Sequence, residues 1–126
     1  MELNEYQNKA METCMPTCKA FSYMMLNLVG EVGEFAGKVA KHIRKGEATI
    51  STLEHRDGIG ELYFQDSDDL IICNGELKKE AGDILWQLSG LCKVMGWTLE
   101  EVAQQNLEKL ASRQKRGVIA GDGDNR

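Results

Sequence analysis

The chain has 126 residues, 42% hydrophobic and 28% charged, with one proline and a net charge of -5. This suits one globular domain with a real core and excludes a disordered or fibrous chain, or two independent domains. The acidic balance also excludes a nucleic-acid-coating surface, which needs concentrated Lys and Arg, and no stretch approaches the roughly 20 apolar residues that span a bilayer. The opening MELNEYQNKA lacks a basic region followed by an apolar run, so a cytoplasmic protein is expected, with Cys14, Cys18, Cys73 and Cys92 as reduced thiols. Cys14 and Cys18 are spaced for one helix face, but no second CxxC or histidine pair completes a zinc site.

In chain order, a short helix is expected up to about Thr13, broken near Pro16, whose ring removes a donor and restricts its neighbour. From about Lys19 to Lys45 the apolar residues Phe21, Met24, Met25, Leu28, Val32, Phe35, Ala36, Val39 and Ile43 recur with helical period and predict a long amphipathic helix. Residues 46–75 lack that period. Within them GELYFQ and LIIC read as two short strands around Asp66-Ser67-Asp68, or as an irregular excursion, and the segment as an insertion that could serve as a lid.

A second long helix is predicted from Glu76 to Met95, with Leu77, Ala81, Ile84, Leu85, Leu88, Leu91 and Met95 on one side and Asn74-Gly75 ahead of it. Gly96 ends it; Thr98 with Glu101 forms a capping box, and Trp97 with Val102 a hydrophobic staple, for a last helix to about Lys115. The polar tail GDGDNR is expected to be flexible. The fold class is therefore all-α, an antiparallel helical bundle with an irregular or short-hairpin insertion at about 46–75, in one domain over 1–117 followed by a tail over 118–126.

The chemistry lies along the helix borders. At about 100° per residue, Asn27, Glu31, Glu34 and Lys38 form one line beside the apolar stripe of the first long helix, and Glu76, Glu80, Asp83 and Gln87 form another on the second. Solvated faces would explain either line alone. Facing each other at the edge of a core, the carboxylates repel and are poorly hydrated, so they call for protons, cationic side chains or bound cations. Oxygen ligands without histidine or thiolate suit Mg²⁺, with Mn²⁺ as a substitute, and Mg²⁺ leaves positions for substrate phosphates. On the last helix Asn106 falls within the apolar set Leu99, Val102, Ala103 and Leu110, with Arg113 close to the same side. Each has an ordinary explanation, a satisfied buried amide and a snorkelling or paired cation. With Lys109 they also supply the donors that a metal-held polyphosphate requires.

LVGEVGEFAGKVAK and ELKKEAGDILWQL resemble the two signature helices of the MazG-like, all-α nucleoside triphosphate pyrophosphohydrolases. The Glu-x-x-Glu of that family falls on Glu31 and Glu34, its Glu-x-x-Asp on Glu80 and Asp83, and the flanking glycines on Gly33 and Gly82. NLEKLASRQKRG fits its Asn-x-x-Lys-Leu-x-x-Arg ending through Asn106, Lys109, Leu110, Arg113 and Gly117. Two features depart from the pattern: residues 35–79 make a longer spacer than usual, with 46–75 as the excess, and Gln114 and Lys115 replace a frequent aromatic and proline.

The resemblance implies Mg²⁺-dependent attack of water on the α-phosphorus of a ribo- or deoxynucleoside triphosphate, giving a monophosphate and pyrophosphate. It implies Glu31, Glu34, Glu80 and Asp83 as metal ligands, with Glu34 also orienting or deprotonating the water. Lys109, Arg113 and Lys38 would hold phosphates, Asn106 a phosphate or sugar oxygen, and Glu76 an outer position. The base would lie near Phe21, Tyr23 and Asn27. It also implies a homodimer or homotetramer, in keeping with so thin a helical monomer. Two other readings stay open: a non-catalytic helical oligomerisation or metal-binding module, and a base-specific member of the same fold, acting on dUTP or dCTP.

Overall fold

The computed structural model describes residues 1–50, 60–64 and 66–125. Its elements are α1 (Leu3–Met11), a single 3₁₀ turn at Pro16–Cys18, α2 (Phe21–Arg44), β1 (Ala48–Ile50), β2 (Leu62–Phe64), α3 (Ser67–Val94) and α4 (Leu99–Lys115). The all-α class holds, with the two short strands as the only sheet among the described residues.

α2 and α3 pack against each other along their length, and the pairs Asn27–Gln87, Lys38–Glu80 and His42–Glu76 show that they run antiparallel. Close approach is possible because Gly90 has no side chain: a Cβ there would stand 2.3 Å from Met24 Sδ. Met24 is buried, and Gln87 Nε2 lies 3.2 Å from its carbonyl oxygen and 3.1 Å from its sulfur. A fully buried amide with its bonds made locks rotation and register in a way that apolar contact alone does not.

α1 braces one end of this pair. Trp86 Nε1 donates to the carbonyl of Ala10, at 3.1 Å, and to Thr13 Oγ1, at 2.9 Å, so the open end of α1 is satisfied by α3. Buried Gln7 donates to the carbonyls of Ser89 and Trp97 and accepts from the Leu99 amide at 3.0 Å, while Asn4 Oδ1 accepts from the Glu100 amide at 3.2 Å. Two of the four amides that a helix start leaves unpaired are thus met from α1. Thr98 Oγ1 accepts from the Glu101 amide at 3.1 Å, and Gly96 at φ +77° makes the preceding reversal, as the capping signal predicted. The result is that α4 packs chiefly on α1.

The expected insertion is a hairpin in its first part only. β1 and β2 pair antiparallel, Ala48 with Phe64 and Ile50 with Leu62; residues 51–59 and 65 lie outside the described residues. Residues 67–75 belong to α3, which starts at Ser67 and not at Glu76. Leu70, Ile71 and Ile72 are exposed while Cys73 is buried, so apolar residues face several directions and erase the helical period. Gly75 costs a helix interior only about 1 kcal/mol relative to Ala, too little to stop it.

Candidate active site

The antiparallel pairing brings the two acidic lines together. Oxygens of Glu31, Glu80 and Asp83 all lie within 4.8 Å of one another. Lys38 Nζ donates to Glu80 Oε1. At the other end, Asn27 Nδ2 donates to Glu31 Oε1 at 3.1 Å and to Gln87 Oε1 at 2.8 Å, tying the ligand line of α2 to the buried amide of α3.

Glu80 is the innermost member at 6% exposure, and its Oε2 has no hydrogen-bond partner among the described residues. An orphaned carboxylate oxygen in a buried position is costly unless a cation meets it. Burial first, then the charges of Glu34 and Asp83, hold the Glu31 carboxyl above its ordinary range against the Asn27 hydrogen bond, and Glu80 adds to the rise. The hydrogen bond to Glu80 is foremost in raising the Lys38 ammonium, with Glu76 and Glu34 contributing and desolvation opposing. The donor set is all oxygen, and octahedral Mg²⁺ with ligands at 2.0–2.1 Å sets oxygens about 3 to 4 Å apart, so the cluster fits a hard divalent cation.

Of the four carboxylates expected as ligands, Glu34 is the one outside this group; it is exposed, one turn from Glu31, and acts on it through charge. Asn27 and Lys38 sit in the cluster's own hydrogen-bond chain. Phe21 and Tyr23 are exposed at the start of α2. Asn106, Lys109 and Arg113 occupy α4, whose packing on α1 leaves Asn106 exposed. Their ion pairs run elsewhere: Arg113, 5% exposed, donates from Nη2 to Asp124 Oδ1 at 3.0 Å, and Lys109 Nζ lies 3.5 Å from the same oxygen. The structure therefore does not join these donors to the carboxylates within one chain. Two residues not singled out from sequence adjoin the site: Tyr6 of α1, whose hydroxyl is raised by burial and then by Asp83, and His42, one turn beyond Lys38, against Glu76. The i,i+4 step from Lys38 was a usable signal for His42; Tyr6 had none.

Facing helices whose carboxylates converge beside a lysine give a helical protein an oxygen donor set that fits a divalent cation. The sequence profile of the MazG nucleotide pyrophosphohydrolase domain matches residues 19–118, spanning both acidic helices and α4. The chain belongs to this family of nucleotide pyrophosphohydrolases, which generally depend on divalent metal. It is also 35% identical over 133 residues to the Gene 37 protein of Mycobacterium phage L5, with 100% of both chains covered. No solved structure matches the chain, and no helix among the described residues is long and apolar enough to cross a membrane.

Proposed function

We propose that this protein is a Mg²⁺-dependent nucleoside triphosphate pyrophosphohydrolase that cleaves at the α-phosphorus, using Mn²⁺ as a substitute. The observation that carries the reading is the orphaned Oε2 of buried Glu80 beside Glu31 and Asp83. A plain helical bundle has no reason to keep an unmet carboxylate oxygen there.

Glu31, Glu80 and Asp83 hold the cation, with Glu34 reaching it from the exposed side. When bound, the cation neutralises charge on the triphosphate and lowers the pKa of water. Glu34, exposed and one turn from the ligand line, is the group that orients water and takes its proton. Water adds to the α-phosphorus, the bond to the bridging oxygen breaks, and pyrophosphate leaves with the nucleoside monophosphate as the other product. Lys38, already bonded to Glu80, offers its ammonium to a phosphate oxygen, and Asn27 stands where a base or sugar would approach. Asn106, Lys109 and Arg113 serve phosphate from a neighbouring protomer of a homodimer or homotetramer, or within one chain once Asp124 lets Lys109 and Arg113 go. The reading places the enzyme in the cytoplasm, acting on free nucleotides.

The test is release of pyrophosphate and monophosphate from a panel of ribo- and deoxynucleoside triphosphates, with Mg²⁺ and with EDTA. Metal-dependent release is expected, and the best substrate names the base. Glu34→Gln and Asp83→Asn should each lower turnover at least 10²-fold, in line with the loss of a positioned acid–base or metal-holding group, while helical circular dichroism stays that of the parent. No turnover across the panel, or full activity in either variant, would sink the proposal.

A further inference from the structure

A second group of ligating side chains converges about two helical turns along α3 from the acidic cluster. His42, in the last turn of α2, is 5% exposed. Its Nδ1 lies 2.6 Å from Glu47 Oε2 and 3.2 Å from Cys73 Sγ, and one donor atom from each of the three residues falls within 4.8 Å of the others. On the far side of the ring, Nε2 lies 3.3 Å from Glu76 Oε2. Cys73 is buried. The three donors come from α2, from the residue just ahead of β1, and from α3.

Imidazole nitrogen, thiolate sulfur and carboxylate oxygen form a mixed, borderline-soft donor set, unlike the all-oxygen cluster nearby. Zn²⁺ bonds sulfur at about 2.3 Å and nitrogen at about 2.0–2.1 Å, which sets the two roughly 3.5 Å apart in a tetrahedron. The side chains need to open by under about 1 Å to take such an ion. A ligating histidine characteristically donates its other N–H to a carboxylate, which fixes the tautomer and turns the free lone pair to the metal. Glu76 stands in that place. In the tautomer that gives Nε2–H to Glu76, the Nδ1 lone pair, the Glu47 carboxylate and the Cys73 sulfur face one another as three donors for one cation, with His42 and Cys73 buried and Glu47 partly so.

We propose that His42, Glu47 and Cys73 form a second metal site, selective for a transition-metal ion of the Zn²⁺ class, with water in the fourth position and Glu76 orienting the histidine. On binding, the Cys73 thiol passes its proton to solvent and the thiolate takes the ion. The ion ties the root of the hairpin to both long helices: Glu47 directly precedes buried Ala48, and Phe64 of β2 meets the His42 ring edge-on at 6.5 Å between centroids.

Cobalt(II) is the probe, titrated into the reduced, chelator-treated full chain with Mg²⁺ in excess to fill the oxygen-only cluster. One Co²⁺ per chain is expected, with near-ultraviolet thiolate charge-transfer absorption and the strong visible bands of a tetrahedral ion, both displaced by Zn²⁺. Cys73→Ser should remove the charge-transfer band, while joint replacement of Cys14 and Cys18 by Ser leaves it. Glu76→Gln should keep the band and weaken binding 10- to 100-fold. Circular dichroism checks that Cys73→Ser is folded; Glu47→Gln, which removes an anionic ligand and leaves the thiol, provides an independent loss of affinity. Zn²⁺ should also raise the Tm of the parent with Mg²⁺ present, a shift absent from Glu47→Gln. A parent chain with no charge-transfer band, or a band that survives Cys73→Ser, overturns the site. The first result would leave His42 simply hydrogen-bonded between Glu47 and Glu76.

Discussion

At the scale of single residues, charge is neutralised differently at the two ends of the molecule. Glu31, Glu80 and Asp83 crowd one another around a single lysine, whereas Arg113 is met by the tail. The Asp124 carboxyl is held below its ordinary range, by the Arg113 hydrogen bond first and by Lys109 next. A depressed folded pKa means that the ionised form favours the docked tail; the gain is present above the ordinary aspartate value of about 3.9 and is lost as pH falls through the folded value. Asp124 is well exposed, so the effect is small. Asp124→Asn should lower the Tm slightly at pH 7, and the difference should shrink progressively as pH is taken below the ordinary aspartate value. Equal midpoints at pH 7 would detach this contact from stability. The pairing was not legible in the sequence, because GDGDNR carries no periodic or capping signal and only tertiary placement brings Asp124 to Arg113. Glu31, Glu80 and Asp83 were legible, because i,i+3 spacing on two helices leaves only their antiparallel pairing to be supplied.

Elements show the same division. Where a local rule acts, the boundary was readable: Thr98 caps α4, and α2 runs within two residues of its periodic stretch. Where packing decides, it was not, so α3 begins nine residues early, with Cys73 buried against His42 inside what reads as an insertion. The second metal cluster was hidden for that reason. The α2–α3 contact itself turns on Gly90. A methyl there meets Met24 Sδ at 2.3 Å and Cε at 2.5 Å. The methionine tip is flexible, but Met24 is buried and Gln87 Nε2 lies against its sulfur, so it has little room to retreat. Overpacking costs about 1–3 kcal/mol, against about 1 kcal/mol of helix propensity gained. Gly90→Ala should therefore lower the Tm by several degrees and weaken the Asn27–Gln87 anchor beside the acidic cluster, and it should cost less in a Met24→Ala background than in the parent. A more stable Gly90→Ala single variant would show that the helices can part at no cost, and that the glycine does not set their distance.

For the whole molecule, one chain leaves apolar faces of its long helices exposed. On α2, Leu26 is 75% and Val29 64% exposed, and Val32, Met25 and Phe21 are open as well. On α3, Leu70, Ile71 and Ile72 are exposed at one end and Leu85 and Leu88 further along. Contiguous apolar faces of this kind mark interfaces between proteins. The periodicity that identified these helices cannot tell a face buried in the chain's own core from one buried by a partner. That is why Asn106 reads as inward although it is exposed within one chain, as Leu107 and Leu110 are; Arg113 is buried, but against the tail. The homodimer or homotetramer of the proposed function would bury these faces if it joined through α2 and α3, with α4 of one protomer brought toward the carboxylates of the other. Sedimentation at micromolar concentration should find a dimer or tetramer. Leu26→Glu with Val29→Glu adds two charges at the centre of the exposed α2 face, and should yield a monomer that keeps its helical content. The monomer should retain Mg²⁺ binding, since Glu31, Glu80 and Asp83 come from one chain, but lose turnover if Asn106, Lys109 and Arg113 act from the neighbour. Full turnover in a proven monomer would instead place those donors in the same chain's site, reached when Arg113 releases Asp124.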